Sequence, residues 1–472
     1  MKNLYCKLYG EDMTKNFNID ENYISGLLER GKNIGGDHIG RILYRAEALA
    51  GLSHADVAAL LSTRDEGHWQ KIFEIAGDIK QRVYGDRVVM FAPLYISDYC
   101  VNDCIYCGFC AENPRERKRL SIVELRGEIR ALEMMGHKRL ALEAGEDPIN
   151  CSLDYVLECI REIYGMKFES GEIRRVNVNI GASSEEDYRR LHAAGIGTYI
   201  LFQETYHRAS YRQVHRSGPK ADYDYHLTAF DRAMRAGIDD VGGGVLFGLY
   251  DHAFEVMGLM MHNEHLDRQY GAGFHTISVP RLRSASGSVD TMYPHAVDDE
   301  TFARIVAVLR LAVPYTGLIL STRESPEMRR RLIRLGVSQV SAGSETSVGG
   351  YNATAKDAEQ FNTVDRRGIG EVAKWLMDEG FVPSFCTACY RQGRTGDRFH
   401  ELVKEGRIRD VCLPNAMFTL KEYALDYGDA SFMAKADKLI SRKLEGIDDT
   451  TLRATIRENL RRLESGDRDV FL

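Results

Sequence analysis

Three cysteines lie within eight residues of one another, Cys100, Cys104 and Cys107, spaced Cys-x3-Cys-x2-Cys with Tyr106 just before the last. Thiolates are the soft ligands that iron–sulfur clusters require. A four-iron cubane held by only three protein thiolates keeps one iron open. That iron can bind a small molecule as well as pass electrons. The alternatives are a structural zinc site or buried free thiols. Zinc sites favour four ligands in Cys/His pairs, and this stretch lacks that form.

A second triad lies near the C-terminal end: Cys386, Cys389 and Cys412, spaced Cys-x2-Cys-x22-Cys. Again there are three thiols, and His400 is the only imidazole between them, so a Cys3His zinc knuckle stands beside an auxiliary cluster with an open iron. The intervening run from Tyr390 to Arg398 is basic and glycine-rich, suited to an anionic cluster or ligand. Cys6, Cys110, Cys151 and Cys159 show no partner pattern, and Cys151 and Cys159 flank or occupy a helix where buried thiols are expected. Ten cysteines in 472 residues are too sparse for a disulfide scaffold.

The elements that must hold these groups can be read from periodicity. The chain is 44% hydrophobic and 28% charged with a net charge of −7, the profile of an ordinary enzyme with ample core. No basic stripe points to nucleic acid. No run of 18 apolar residues predicts a membrane helix, and the first residues lack the apolar region of a secretory signal. A cytoplasmic protein is expected. Residues 1–85 read as a polar helical extension, with Ser53 to Asp56 as a capped helix start. From residue 86 to 380 short β-branched runs alternate with amphipathic helices. Eight strands are expected, at 88–97, 139–144, 175–180, 198–203, 240–247, 274–280, 317–322 and 337–342. Eight such repeats predict an α/β fold, a TIM-type (β/α)8 barrel, in preference to a doubly wound sheet. Residues 381–472 read as a separate cluster-binding domain with a charged helical tail at about 432–467.

Barrel enzymes place their chemistry at the C-terminal strand ends, and the polar motifs fall there. Cys100, Cys104 and Cys107 come after the first strand. Ala144, Gly145 and Glu146 end the second, where a glycine permits close approach of a ligand and a carboxylate can hold an ammonium group. Glu204 ends the fourth, and Arg212 could pair with a carboxylate or be ordinary surface. Ser321, Thr322 and Arg323 end the seventh. Arg323 could clamp a substrate carboxylate with its guanidinium fork or pair with Glu324. His262 and His265 share one helix face. They read as solvated surface, although imidazole is also a common ligand for single ferrous iron.

Taken together, CVNDCIYC, LEAGEDP, LFQETYHRASY, HTISVPRL, LSTRE and CTACYRQGRTGDRF…DVC resemble the HydG family, radical S-adenosylmethionine (SAM) tyrosine lyases that help mature the FeFe-hydrogenase active site. The resemblance runs from about residue 80 to the end. The thiamine-pathway tyrosine lyases share the barrel motifs and lack the C-terminal triad. The resemblance implies that Cys100, Cys104 and Cys107 ligate a 4Fe–4S cluster that binds and reduces SAM. Tyr106, Ala144, Gly145, Glu146, Glu204 and Arg212 would contribute to that site, with Glu146 on the SAM amino group. It implies cleavage of L-tyrosine to p-cresol and dehydroglycine, with Arg323, Ser321 and Thr322 at the substrate. It further implies that Cys386, Cys389 and Cys412 hold a second 4Fe–4S cluster carrying a labile fifth iron, where CO and cyanide form. A barrel histidine, His265 or else His262, would bind that iron, with a free L-cysteine as an additional ligand. An electron donor such as ferredoxin or flavodoxin and other hydrogenase maturation proteins would be partners. A radical must be shielded from water, so a tunnel joining the two sites is expected.

Overall fold

The computed structural model describes residues 17–282, 294–353 and 359–472. Eight parallel strands form a closed barrel: β1 (Arg87–Ser97), β2 (Arg139–Ala144), β3 (Arg175–Asn179), β4 (Tyr199–Ile200), β5 (Val241–Gly244), β6 (Thr276–Ser278), β7 (Gly317–Leu320) and β8 (Gln339–Ser341). β1 pairs with both β2 and β8, which closes the ring. The strands are nearly continuous apolar runs because helices cover the outside and side chains fill the inside. All eight expected strands are present, several shorter than their apolar runs. Between β4 and β5 the chain includes two short helices, Tyr223–Leu227 and Ala229–Arg235, and the expected helical tail is two helices, Ala430–Glu445 and Thr450–Glu464.

Four helices precede β1 among the described residues. Ser53 caps His54–Ser62 in a reciprocal capping box with Asp56. The long Glu66–Tyr84 helix packs against barrel helices Asp299–Ala312 and Pro326–Leu335 and against helix Ile408–Tyr427.

Beyond the barrel the chain forms a ninth strand, β9 (Val382–Ser384), which pairs in parallel with Arg87–Val89 at the lower end of β1. Helix Ile408–Tyr427, which carries Cys412, packs on β9. Buried polar ties fasten this helix under the barrel. Arg174 pairs with Glu422 at 2.5 Å, and Lys138 reaches Glu133 at 3.0 Å and the Tyr427 hydroxyl at 2.9 Å. The C-terminal triad therefore sits at the N-terminal ends of the strands, opposite the first triad. Cys151 and Cys159 are buried thiols, as expected, whereas Cys6 lies outside the described residues.

Candidate functional site

At the upper end, the register of β1 against β2 shifts between Tyr95 and Ser97. A strand irregularity of this kind bends the strand and re-aims the chain beyond it. The cysteine loop leaves there and lies on the end of β2. A side chain at Gly145 would come within 2.3 Å of the Tyr99 carbonyl, so only glycine fits. Val101 donates its N–H to the Glu146 carbonyl at 2.8 Å. Arg117 ties the far side of the loop through the carbonyls of Asp98, Phe109 and Cys110.

One cavity gathers most of the residues expected at the mouth: Cys100, Cys104, Cys107, Tyr106, Ala144, Gly145, Glu146, Glu204, Ser321, Thr322 and Arg323. Burial pushes the Cys104 thiol well up and the Cys107 thiol to about 11. Buried thiols of this kind ionise when a cationic iron core takes their protons' place. Among the described residues no three Cys, His, Asp or Glu groups are gathered tightly enough to clasp one metal ion. Radical SAM proteins carry a 4Fe–4S cluster and SAM, and the donor chemistry of these residues fits both.

Glu146 accepts from Asn102 at 2.7 Å, and burial raises its pKa. It is the carboxylate free to meet an ammonium group. Glu204 also reaches the cavity, but its carboxylate already holds the Lys220 ammonium at 2.8 Å. Tyr106 packs its ring edge on His215 and shares a 2.8 Å hydrogen bond with it. Arg323 lies over the Phe361 ring, with no carboxylate within ion-pair distance among the described residues. Glu324 is taken by Arg281 at 2.6 Å, which leaves the Arg323 fork facing the cavity. Burial lifts Glu143 to about 8, so a neutral carboxyl hydrogen-bonded to Asn179 shares this space. Arg212 is exposed and lies off the cavity, because its short helix turns it outward.

A smaller lower chamber is lined by Cys386, Cys389 and Cys412 together with Arg87, Arg139, His275, Tyr390 and Phe399. Arg139 donates to the Cys386 carbonyl at 2.8 Å. A hydrogen bond from Cys389, then the positive charges of Arg87, Arg394 and Arg139, hold the Cys412 thiol down towards thiolate. Much of the positive charge expected from the 390–398 loop thus comes from the strand bottoms. Arg391 is instead paired with Asp469. The side chain of His400 lies outside the described residues.

His262 and His265 are not solvated, and they do not line this chamber. Both are buried on helix His252–Tyr270 outside the barrel. His262 meets the Tyr206 hydroxyl at 3.0 Å, and His265 meets Asp231 at 2.7 Å with Phe17 stacked on its ring. An outer-layer helix turns its buried face onto neighbouring helices, so it cannot deliver imidazoles to the barrel floor. Among the described residues, the histidine beside the C-terminal triad is His275, just before β6. It sits inside the motif HTISVPRL, but the rule that barrel chemistry lies at C-terminal strand ends directs attention away from it. Asn102 was likewise inside a motif. Glu143 too lies inside a motif, LEAGEDP, whereas Lys220 and Arg139 fall outside those motifs.

The two chambers share strands. Phe91, Ala141, Ile319 and Ser341 line the upper one, and Val89, Arg139, Gly317 and Gln339 line the lower. Each pair is two residues apart on one strand, roughly 6.5 Å. A single step of inward-facing side chains separates them.

The chain matches the radical SAM superfamily over residues 94–258 and the biotin and thiamin synthesis associated domain over 278–382. It is 34% identical to 2-iminoacetate synthase of Salmonella typhimurium over 72% of this chain and 88% of that protein. A crystal structure of HydG, described as a maturase of the FeFe-hydrogenase, is 49% identical with a TM-score of 0.94, covering 96% of this chain and 99% of that one. HydG from Carboxydothermus hydrogenoformans is 37% identical with a TM-score of 0.81, over 94% and 100% of the two chains.

Proposed function

The chain belongs to the HydG family within the radical SAM superfamily, and from this we propose that it is a carbon–carbon lyase for L-tyrosine serving FeFe-hydrogenase maturation. The observation that carries the reading is the pair of three-cysteine chambers at opposite ends of one barrel, a single side-chain step apart.

Cys100, Cys104 and Cys107 hold the upper 4Fe–4S cluster, and Glu146 receives the SAM ammonium. Cluster and SAM together supply a carbon radical able to abstract hydrogen. Arg323, with Ser321 and Thr322, holds the tyrosine carboxylate and fixes the amino group near that radical. Buried walls of Pro93, Tyr95, Ile200 and Leu201 keep water from the reacting atoms. Cleavage divides tyrosine, C9H11NO3, into p-cresol, C7H8O, and dehydroglycine, C2H3NO2. Dehydroglycine has the composition of CO, HCN and water, so its breakdown needs no net oxidant.

The short step between chambers suits transfer of the fragment without release. Below, Cys386, Cys389 and Cys412 hold the auxiliary cluster, and His275, kept neutral by burial, is the ligand for the labile iron. His275 takes the place expected of His265 or His262.

The test is anaerobic turnover of reconstituted protein with SAM, dithionite and L-tyrosine, assayed together for p-cresol, cyanide and CO. Wild type is expected to make all three, and a Cys386→Ala/Cys389→Ala variant p-cresol without CO. Wild type giving p-cresol and neither diatomic would favour the 2-iminoacetate synthase activity of its 34%-identical relative. No p-cresol from cluster-loaded protein would remove the lyase reading.

A further inference from the structure

Behind His275, which lines the lower chamber, lies a charged group that the cysteine triad does not explain. Asp240, at the end of the loop entering β5, is 2% exposed, and neither carboxylate oxygen has a hydrogen-bond partner. A buried, unpaired carboxylate is costly, so a fold that keeps one has a partner for it in the working state. Its surroundings narrow the choice. Arg175 is near but lies flat on the Tyr390 ring, 3.3 Å from its centroid, and is not within ion-pair distance of Asp240. The Tyr390 hydroxyl is engaged by Thr198 at 3.1 Å. The basic nitrogen within reach is Nδ1 of His275, 3.9 Å from Asp240 Oδ2, itself buried and unpartnered. Two orphaned groups thus face one another across a gap that a small rotation of ring or carboxylate closes.

We infer that Asp240 is the positioning residue for His275: it accepts Nδ1–H, fixes the neutral tautomer, and presents Nε2 to iron held beside Cys386, Cys389 and Cys412. A histidine ligand ordinarily donates its second ring N–H to a carboxylate or carbonyl, which sets both ring orientation and basicity. The adjoining Asp239 is spoken for, since it accepts from Thr395 at 2.9 Å. Phe399 packs against the imidazole, with ring centroids 4.3 Å apart. Packing thus confines the ring and the carboxylate selects the nitrogen. The inference rests on the reading that this chamber binds iron.

The experiment titrates ferrous iron anaerobically into cluster-reconstituted protein and counts iron retained at the auxiliary site, with p-cresol and thermal midpoint as controls. Asp240→Asn is compared with His275→Ala. Asp240→Asn is expected to weaken retention of the extra iron about 10- to 100-fold, with p-cresol output within twofold and the midpoint unchanged. Should the midpoint fall, Asp240→Ala is titrated with and without added formate, and recovery by formate in the variant but not in wild type supports the assignment. Wild-type retention in Asp240→Asn alongside loss in His275→Ala overturns the role of Asp240 and leaves the iron site standing. Wild-type retention in His275→Ala overturns the iron reading itself.

Discussion

At the residue scale, the site is a set of charges whose partners are either present or awaited. Arg323 is the clearest awaited case, since Phe361 and Arg281 respectively seat its guanidinium and remove its neighbour Glu324. Charge-assisted hydrogen bonds contribute about 1.5–3 kcal/mol. Arg323→Ala is therefore expected to lower kcat/KM for tyrosine by about 10- to 100-fold, while SAM binding measured by the change in the cluster's EPR spectrum persists. Glu255 illustrates the opposite case. It is buried beneath Tyr206 and its pKa is lifted to about 8 by that burial, against hydrogen bonds from Thr205 and the Tyr206 N–H. Its folded pKa lies above the unfolded value of 4.5. The unfolded chain thus loses this proton first, and stability falls as pH rises from about 4.5 to about 8, then levels. Each unit of separation is worth about 1.4 kcal/mol. Glu255→Gln is expected to flatten this slope, so that its thermal midpoint gains on wild type at pH 8 compared with pH 5.

At the element scale, the lower site depends on how helix Ile408–Tyr427 seats under the barrel. On this helix Tyr423 docks against the turn before β2, its hydroxyl donating to the Met135 carbonyl at 3.3 Å. Gly136 in that turn has φ +94°, and a side chain there would meet the Tyr423 ring at 2.4 Å. Gly136→Ala therefore incurs both backbone strain and an overpacking clash, each of about 1–3 kcal/mol. We expect a lowered thermal midpoint and loss of iron from the auxiliary site before the upper one, read as iron per protein after gel filtration. The short helix Gly396–Lys404 is held differently. It hangs between left-handed Gly393, Gly396 and Gly406 and contributes Phe399 to the chamber wall. Phe399→Ala opens that wall, and a chelator is expected to strip the auxiliary iron several-fold faster while p-cresol formation continues.

At the scale of the whole molecule, the barrel has a cysteine-lined chamber at each end. Its C-terminal face has the cavity that barrel enzymes ordinarily use, and its floor is closed by β9 and helix Ile408–Tyr427 around a second chamber. Ala141 lines the upper cavity one pleat above Arg139, which lines the lower. A bulky side chain there would separate the chambers without touching either cysteine triad. Ala141→Leu is expected to leave p-cresol within a few-fold of wild type while CO and cyanide fall at least tenfold. Wild-type CO and cyanide from this variant would mean that the two ends do not communicate through this layer. Among the described residues no helix is long and apolar enough to cross a membrane.

Local pattern in the chain was enough for the barrel and for the place of the first cysteine triad at its mouth. Eight apolar runs separated by amphipathic helices specify a parallel barrel, because strand and helix periodicity and short connections leave few other topologies. The two cysteine triads are visible in the chain without a fold, the first from its close spacing and the second from its Cys-x2-Cys pair. Mouth residues such as Glu146 and Arg323 were legible from the rule about strand ends. Which distant groups share a chamber was settled only by the folded arrangement. Lys220 claims Glu204, Arg281 claims Glu324, and Asp231 claims His265, all through contacts between residues well separated in the chain. Strand β9 and the Cys412 helix move the second triad from an appended domain to the barrel floor, where His275 and Asp240 wait at the opposite strand ends. Such pairings depend on strand register and helix docking, which are set by packing over the whole core and leave no trace in the spacing of the residues they join.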